Sequence, residues 1–324
     1  MIFEHKPIMP LQCIEGLDIK PDGIYVDATL GGGGHSHLIG ERLSEKGILI
    51  GIDRDKEALK AAGERLSDLK CKVITVHSNY SEIKNVLKEL NIDKVDGILA
   101  DLGVSSYQLD NEKRGFSYRF DSPLDMRMDQ EMGITARDVV NGYEFSELFR
   151  IIRDYGEERF AKSIASNIVK RREIKPIETT FELVEIINSS MPQKIALKGP
   201  HKAKRTFQAI RIEVNQELTL LTGAVKDFFT SLKVGGRLAV ITFHSLEDRI
   251  VKNVFNDYTK GCICPKDFPV CVCGNTPKGK LINKKPIIAD EKELDENLRA
   301  SSAKLRVIEK VEENEEKDEA CLSD

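Results

Sequence analysis

Runs of apolar residues alternate with stretches of helical periodicity through the first hundred positions of this 324-residue chain. Gly23 to Asp27 reads as a short buried strand, and Gly47 to Ile52 as a second that ends at Asp53. Lys72 to His77 is rich in β-branched residues and reads as a third strand; Val95 to Ala100, ending at Asp101, reads as a fourth. Between them, Lys56 to Leu69 and Ser81 to Leu90 follow helical spacing. The second puts Ile83, Val86, Leu87 and Leu90 on one face and offers Ser81 as its N-cap. Four strands alternating with helices predict an α/β fold with a doubly wound, mostly parallel sheet.

The alternation then stops. From Ser105 to about Arg211 the pattern gives a polar loop over Asp110–Asp129, then helices around Ala136–Asn141, Glu144–Tyr155, Glu157–Arg172 and Thr180–Ser189. Sheet character resumes with a helix near Glu213–Leu232, a Gly235-Gly236 turn, a buried strand Arg237–Phe243, a helix from Leu246 and a late strand Ala303–Ile308. The economical division is a sheet domain over 1–104 and 212–308, a helical domain inserted over 105–211, and a tail over 309–324. Open sheets bind ligands at the carboxyl ends of their strands, so an insertion after the fourth strand is expected to supply substrate recognition.

Candidate chemistry gathers where the first strand ends. Asp27 is followed by Ala28-Thr29-Leu30, four glycines Gly31 to Gly34, then His35 and Ser36, and Asp53 lies 22 residues beyond Gly31. This is the spacing of a nucleotide-binding βαβ unit. Glycines admit a ligand close to the backbone, the helix start offers unpaired N–H groups, and the later acid accepts bonds from ribose hydroxyls. A dinucleotide fingerprint wants a glycine where this chain has Ser36, which counts against a nicotinamide-dependent oxidoreductase. An acid just before the glycines suits a ligand with an ammonium group and no pyrophosphate, a description that S-adenosylmethionine meets. Four adjacent glycines cost too much chain entropy to be a mere turn. Taken singly, His35 reads as helix-start packing, Asp53 as a surface acid and Tyr80 as a core aromatic.

Charge and cysteine content sharpen this picture. The net charge of −4 hides a tail over 309–324 that alone carries −6, leaving +2 for the rest. Such a tail reads as a solvated, disordered end. Gln193 to Arg211 holds six Lys or Arg residues and no acid, and with Phe207 available for stacking it reads as an RNA contact. No apolar run is long enough to span a membrane and the N-terminus has no signal core, so a cytoplasmic protein is expected. Cys262, Cys264, Cys271 and Cys273 form a Cys-x-Cys-x6-Cys-x-Cys cluster. Its spacing is tighter than that of structural zinc sites, so a short reduced loop with Pro265 and Pro269 is favoured and no metal is assigned. Ser245-Leu-Glu-Asp248 reads as a capping box, which leaves His244 at a strand end as a minor functional candidate.

Beyond Asp101 the motifs become specific. Asp27-Ala-Thr-Leu-Gly-Gly-Gly-Gly-His-Ser36, Asp101-Leu-Gly-Val-Ser-Ser106, Arg114-Gly-Phe-Ser117, Pro123-Leu-Asp-Met-Arg-Met-Asp129, Tyr155-Gly-Glu-Glu158, Arg205-Thr-Phe-Gln208 and Phe243-His-Ser-Leu-Glu-Asp-Arg249 occur in that order. Over about residues 5–308 the chain closely resembles the bacterial ribosomal RNA small subunit methyltransferase H family. The resemblance implies a class I, Rossmann-like methyltransferase fold with an inserted helical domain. It implies S-adenosyl-L-methionine as cofactor, 16S rRNA in the small ribosomal subunit as partner, and methylation of the exocyclic N4 of a cytidine in the decoding region. Carried over by position, cofactor contacts fall on Gly33, Gly34, His35, Asp53, Tyr80, Asp101 and Gln108. The chain has Tyr80 where some members have Phe, which leaves stacking intact. The resemblance is silent on the cysteine cluster and the acidic tail.

Methyl transfer is a displacement in which positioning is the protein's main work. The N4 lone pair of cytosine is delocalised into the ring, so an acceptor must draw on the N4 protons, and Asp101 is the expected catalytic residue. Two other functions stay open at this stage. One is a DNA amino-methyltransferase and the other a cofactor-binding ribosome-assembly factor.

Overall fold

The computed structural model describes residues 7–131, 133–192, 202–262, 264–265, 270 and 273–312. They fall into two compact units, a sheet unit within Lys6–Leu102 and Leu221–Asp324 and a helical unit over Gly103–Leu220.

Among the described residues, seven strands build the sheet unit: β1 (Ile24–Asp27), β2 (Ile48–Asp53), β3 (Lys72–His77), β4 (Val95–Asp101), β5 (Leu232–Thr242), β6 (Gly279–Leu281) and β7 (Lys304–Lys310). Their spatial order is β3-β2-β1-β4-β5-β7-β6. The first five are parallel, with β1 between β2 and β4. β7 runs antiparallel to β5, and β6 antiparallel to β7. The sheet is therefore mixed and mostly parallel, in the doubly wound α/β class. Val95 to Ala100 are buried without interruption, as a central strand covered on both faces requires, whereas edge strand β3 exposes Lys72, Thr75 and His77. Tyr25, Leu49, Leu99, Ile241 and Leu305 pack with Cys13 and Leu17 from the flanking helix α1 (Pro10–Leu17) and with Met9, which precedes it.

Helices α2 (Gly34–Gly40), α3 (Lys56–Arg65) and α4 (Ile83–Glu89) make the crossovers between the first four strands. Two of them are shorter than their patterns suggest. Leu66 caps α3, so the helix stops before Leu69. Asn79, not Ser81, opens the next segment: its side chain accepts from the Ser81 N–H and starts a 3-10 turn over Tyr80–Glu82 ahead of α4. Gly235 and Gly236 are not a turn but an irregularity within β5, where the register against β4 slips between Val95 and Gly97. Gly235 has φ +78°, and a Cβ on Gly236 would meet backbone oxygens of Lys233 and Asp96 at 2.9 and 3.0 Å. The final strand extends two residues past Ile308, so Glu309 and Lys310 belong to β7 rather than to the tail, and Lys310 is buried. Residues 313–324 lie outside the described residues.

The helical unit contains α5 (Ser106–Asp110), α6 (Ala136–Gly142), α7 (Phe145–Asp154), α8 (Ala161–Ile174), α9 (Thr180–Ser189) and α10 (Ala203–Asn215). Leu148, Ile151, Ile164, Ile168, Leu183, Ile187 and Ile210 form its core. The stretch over Asp110–Asp129 is more than a polar loop: Phe116, Leu124, Met126 and Met128 join that core, and the buried Arg114 donates to the carbonyls of Arg127 and Met128. The basic stretch also differs from expectation. Residues 193–201 lie outside the described residues, while 203–215 form α10 with Phe207 in the core, edge-on to Tyr118 at 5.8 Å. Phe207 is thus unavailable to stack on a base, and Arg211 is held by Glu217 through two bonds of 2.8 Å. The chain returns through α11 (Glu217–Ser231), and the sheet unit is completed by α12 (Ser245–Thr259) and α13 (Glu291–Glu296).

Candidate active site

The loop after β1 is drawn into shape by Asp27. This carboxylate is almost fully buried; it accepts the Thr29 N–H on Oδ1 (3.2 Å) and the Ser36 hydroxyl on Oδ2 (2.7 Å). Both oxygens therefore serve the glycine loop, so Asp27 shapes that loop while, like any carboxylate accepting two bonds, it keeps acceptor capacity. Burial pushes its pKa up to about 6 against the opposing hydrogen bonds from Ser36 and Thr29. Thr29 in turn ties the loop to β4, because its hydroxyl oxygen accepts the Asp101 N–H at 2.6 Å.

Asp53 holds the other side of the loop. Its Oδ2 accepts the Gly31 N–H and its Oδ1 the Asp55 N–H, each at 2.8 Å, leaving lone pairs on both oxygens for further donors. Burial raises its pKa to about 6 despite those two bonds. Between the acids, Gly33 has φ +74° and its Cα packs on α3, where a Cβ would sit 3.3 Å from Ala62; a Cβ on Gly32 would meet nothing within 4 Å. Gly33 thus shapes the loop, Gly34 opens α2, and Gly32 leaves room for a ligand. Tyr80 is half-buried after β3, in the strand position next to β2, with its ring 6.1 Å from Phe228.

Asp101 is the unusual group. It ends β4, and its Oδ2 lies 3.7 Å from Nδ1 of His35. His35 Nε2 is 2.8 Å from the Ile8 carbonyl and must donate to it, so the neutral ring turns a bare Nδ1 toward Asp101. Burial keeps the ring neutral, with its pKa lowered to about 4. The Asp101 carboxyl is driven well above the usual carboxylate range, first by burial, then by the negative charges of Asp27 and Glu247. Its buried Oδ1 has no hydrogen-bond partner among the described residues. A buried acceptor without a donor is costly, and an incoming donor or cation relieves that cost. The site therefore offers a carboxylate with acceptor capacity to spare, an open glycine, an aromatic face and an acid with one unsatisfied oxygen. An adenosyl ligand with a cationic sulfur fits that set.

Comparison with known proteins decides the class. The profile of the MraW methylase family matches residues 2–311. The chain belongs to that family. It is similar to ribosomal RNA small subunit methyltransferase H 2 of Agathobacter rectalis, 58% identical over 311 residues, with 96% of this chain and 99% of that protein covered. It is 57% identical to ribosomal RNA small subunit methyltransferase H of Lachnospira eligens over 96% of this chain and 99% of that one. The protein of the same name from Clostridioides difficile is 53% identical, covering 96% and 100%.

Within this MraW-type chain, six of the seven positions expected to contact a cofactor, Gly33, Gly34, His35, Asp53, Tyr80 and Asp101, lie in the sheet unit. Gln108 lies in the helical unit on α5, where it completes a capping box with Ser105. The His35 side chain faces Ile8 and Asp101, an inward role that spacing alone does not reveal. Thr29, Ser36 and Glu247 were not singled out as partners of the site acids. No periodicity marks them: Ser36 and Thr29 act on Asp27 through the bend of the loop, and Thr29 and Glu247 act on Asp101 across the fold. The cap of α12 also differs from expectation. His244, not Ser245, is the N-cap: its Nδ1 accepts the Glu247 N–H at 3.4 Å, and Glu247 accepts the Phe243 N–H at 2.8 Å. Asp248 is instead occupied by Arg306, at 2.7 and 3.2 Å, and by Lys304. That arrangement makes His244 a structural cap.

Proposed function

We propose that this chain methylates the exocyclic N4 of a cytidine in the decoding region of 16S rRNA, using S-adenosyl-L-methionine. The observation that carries the proposal is the buried, unsatisfied Oδ1 of Asp101 at the end of β4, beside the glycine loop of a methylase-family chain. The bound cofactor supplies an electrophilic methyl group. Asp53 orients the ribose, Tyr80 offers its face to the adenine, and Gly33, Gly34 and the His35 turn shape the loop against the methionine end. The Asp101 carboxylate accepts a proton from the N4 amino group as the new C–N bond forms and the sulfonium C–S bond breaks, so the amino lone pair is released from the ring at the moment it is needed. A carboxylate with a raised pKa suits this work, being the stronger base once ionised. A cationic sulfur bound beside Asp101 would favour the ionised form of this carboxyl.

The target base must leave its stack to reach such a pocket, which favours a single-stranded or flippable nucleotide. We assign substrate recognition to the inserted helical region over 105–211. At the start of α8 and along it, Arg159, Phe160, Lys162, Asn167 and Lys170 line a shallow groove, pairing exposed cations suited to RNA phosphates with an aromatic edge on which a base can stack. Among the described residues no helix is long and apolar enough to cross a membrane. A ribosomal substrate places the enzyme in the cytoplasm.

The test is transfer of a labelled methyl group to purified small ribosomal subunits, followed by nucleoside analysis. N4-methylcytidine in 16S rRNA is expected. Label that appears on DNA instead, or transfer absent from subunits, naked rRNA and DNA alike, overturns the substrate assignment.

A further inference from the structure

Nineteen positions connect α12 to β6, from Lys260 to Lys278, and none of those described is buried. An apolar core does not hold this segment, yet its two ends are clamped together. The Asn275 side chain donates to the carbonyls of Lys260 (3.0 Å) and Gly261 (2.6 Å), and the Lys278 N–H donates to the Tyr258 carbonyl at 2.9 Å. Tyr258 is itself anchored by stacking on Phe229, ring centroids 3.8 Å apart. This clamp brings Cys262 and Cys264 from one end beside Cys273 from the other. The three Sγ atoms all lie within 4.8 Å of one another.

We propose that Cys262, Cys264 and Cys273 supply three of the four ligands of a structural zinc ion. Tetrahedral zinc with Zn–S bonds of about 2.3 Å separates its sulfurs by about 3.8 Å. The Cys262 and Cys273 sulfurs are 3.8 Å apart. A disulfide would need about 2.05 Å. Gly274, at φ +60°, turns the chain so that the Asn275 N–H points at the Cys273 sulfur from 3.5 Å. N–H groups aimed at sulfur stabilise the thiolate form that ligates metal. Three cysteine sulfurs within 4.8 Å of one another select a thiophilic ion such as zinc over hard cations such as magnesium or calcium. The tight Cys-x-Cys spacing is accommodated because the third sulfur arrives from the far side of the segment rather than from the next turn. Cys271 lies outside the described residues and takes no part in the assignment. The ion would add a covalent-strength tie between the two ends that Asn275 already clamps.

The experiment uses the full-length chain without a tag, purified in reducing buffer without chelator. Elemental analysis is expected to give about one zinc per chain, released stoichiometrically when a mercurial blocks the thiols. Cys264→Ser and Cys273→Ser should each lower the zinc content at least about fivefold, while Cys71→Ala, a buried cysteine elsewhere, keeps it. If the serine variants fail to fold, cobalt exchange into the wild type decides, through its sulfur-to-metal charge-transfer bands. The proposal fails if the wild type holds no zinc after purification or zinc incubation, or if Cys273→Ser retains it. Iron with acid-labile sulfide, or a Cys262–Cys273 disulfide in fresh protein, also overturns it.

Discussion

Acidification should weaken nucleoside binding chiefly through Asp53, since Asp27, also raised to about 6, is bonded to the loop rather than assigned to the ribose. The Asp53 carboxylate is raised to about 6 by burial, and its two oxygens already satisfy Gly31 and Asp55. Ribose hydroxyls donate to the ionised form, so binding is at full strength above that pKa and is lost as pH falls through it. At pH 5 a group of pKa about 6 is only about one-tenth ionised, so affinity should drop up to about tenfold from its value at pH 7, or about 1.4 kcal/mol. The ligand for this test is 5′-methylthioadenosine, which is uncharged over the range and so does not sense Asp27 or Asp101 as a cation does. Isothermal titration from pH 5 to 7.5 at constant ionic strength measures the dissociation constant, and buffers of different ionisation enthalpy count the proton released near pH 6. Asp53→Asn should bind more weakly at pH 7 and show no such slope. A wild-type constant that changes less than about twofold, or an Asn variant with the wild-type slope, refutes the assignment of Asp53 to the ribose. S-adenosylmethionine itself should show a steeper profile, since its positive charge also draws protons from Asp27 and Asp101.

Asp101→Asn preserves shape and removes the base. Turnover on small subunits should fall at least about 100-fold while the purified variant unfolds at or above the wild-type temperature, because a destabilising buried acid has gone. Near-normal methylation would remove Asp101 from catalysis. His244→Ala should cost about 1 kcal/mol in denaturant unfolding and Ser245→Ala much less, since only His244 caps α12; the reverse order would restore the serine cap. Lys162→Ala with Lys170→Ala should raise KM for subunits severalfold and flatten its salt dependence, leaving cofactor affinity intact. An unchanged salt slope would take RNA off this groove.

Much of the sheet was legible in the sequence. A buried parallel strand must be a short continuous apolar run, and Lys72–His77 matches β3 at both ends. The acids Asp53 and Asp101 were visible because strand ends can be located from such runs. Less was legible where a choice lay between neighbours. Ser245 and His244 both suit an N-cap, and Asp248 turned away because Arg306, 58 positions on, competes for it. β6, only three residues long, leaves too short a pattern to detect. The helix α10 was hidden by its charges, and Phe207 was misread because a lone aromatic among cations says nothing about which face it occupies.

By itself, then, the chain's order of residues determined the alternation of strands and helices, the glycine loop, and the acids at the strand ends. These are local properties, set by side-chain periodicity and backbone freedom over a few residues. Tertiary structure alone decided the protonation and partners of the acids. Asp101 is an unsatisfied, proton-loving carboxyl only because folding buries it beside Asp27, Glu247 and a neutral His35 turned toward Ile8. The antiparallel direction of β7 and the meeting of Cys262, Cys264 and Cys273 were decided the same way. Desolvation and charge act through space, and sequence spacing does not report distances between segments that meet only in the fold.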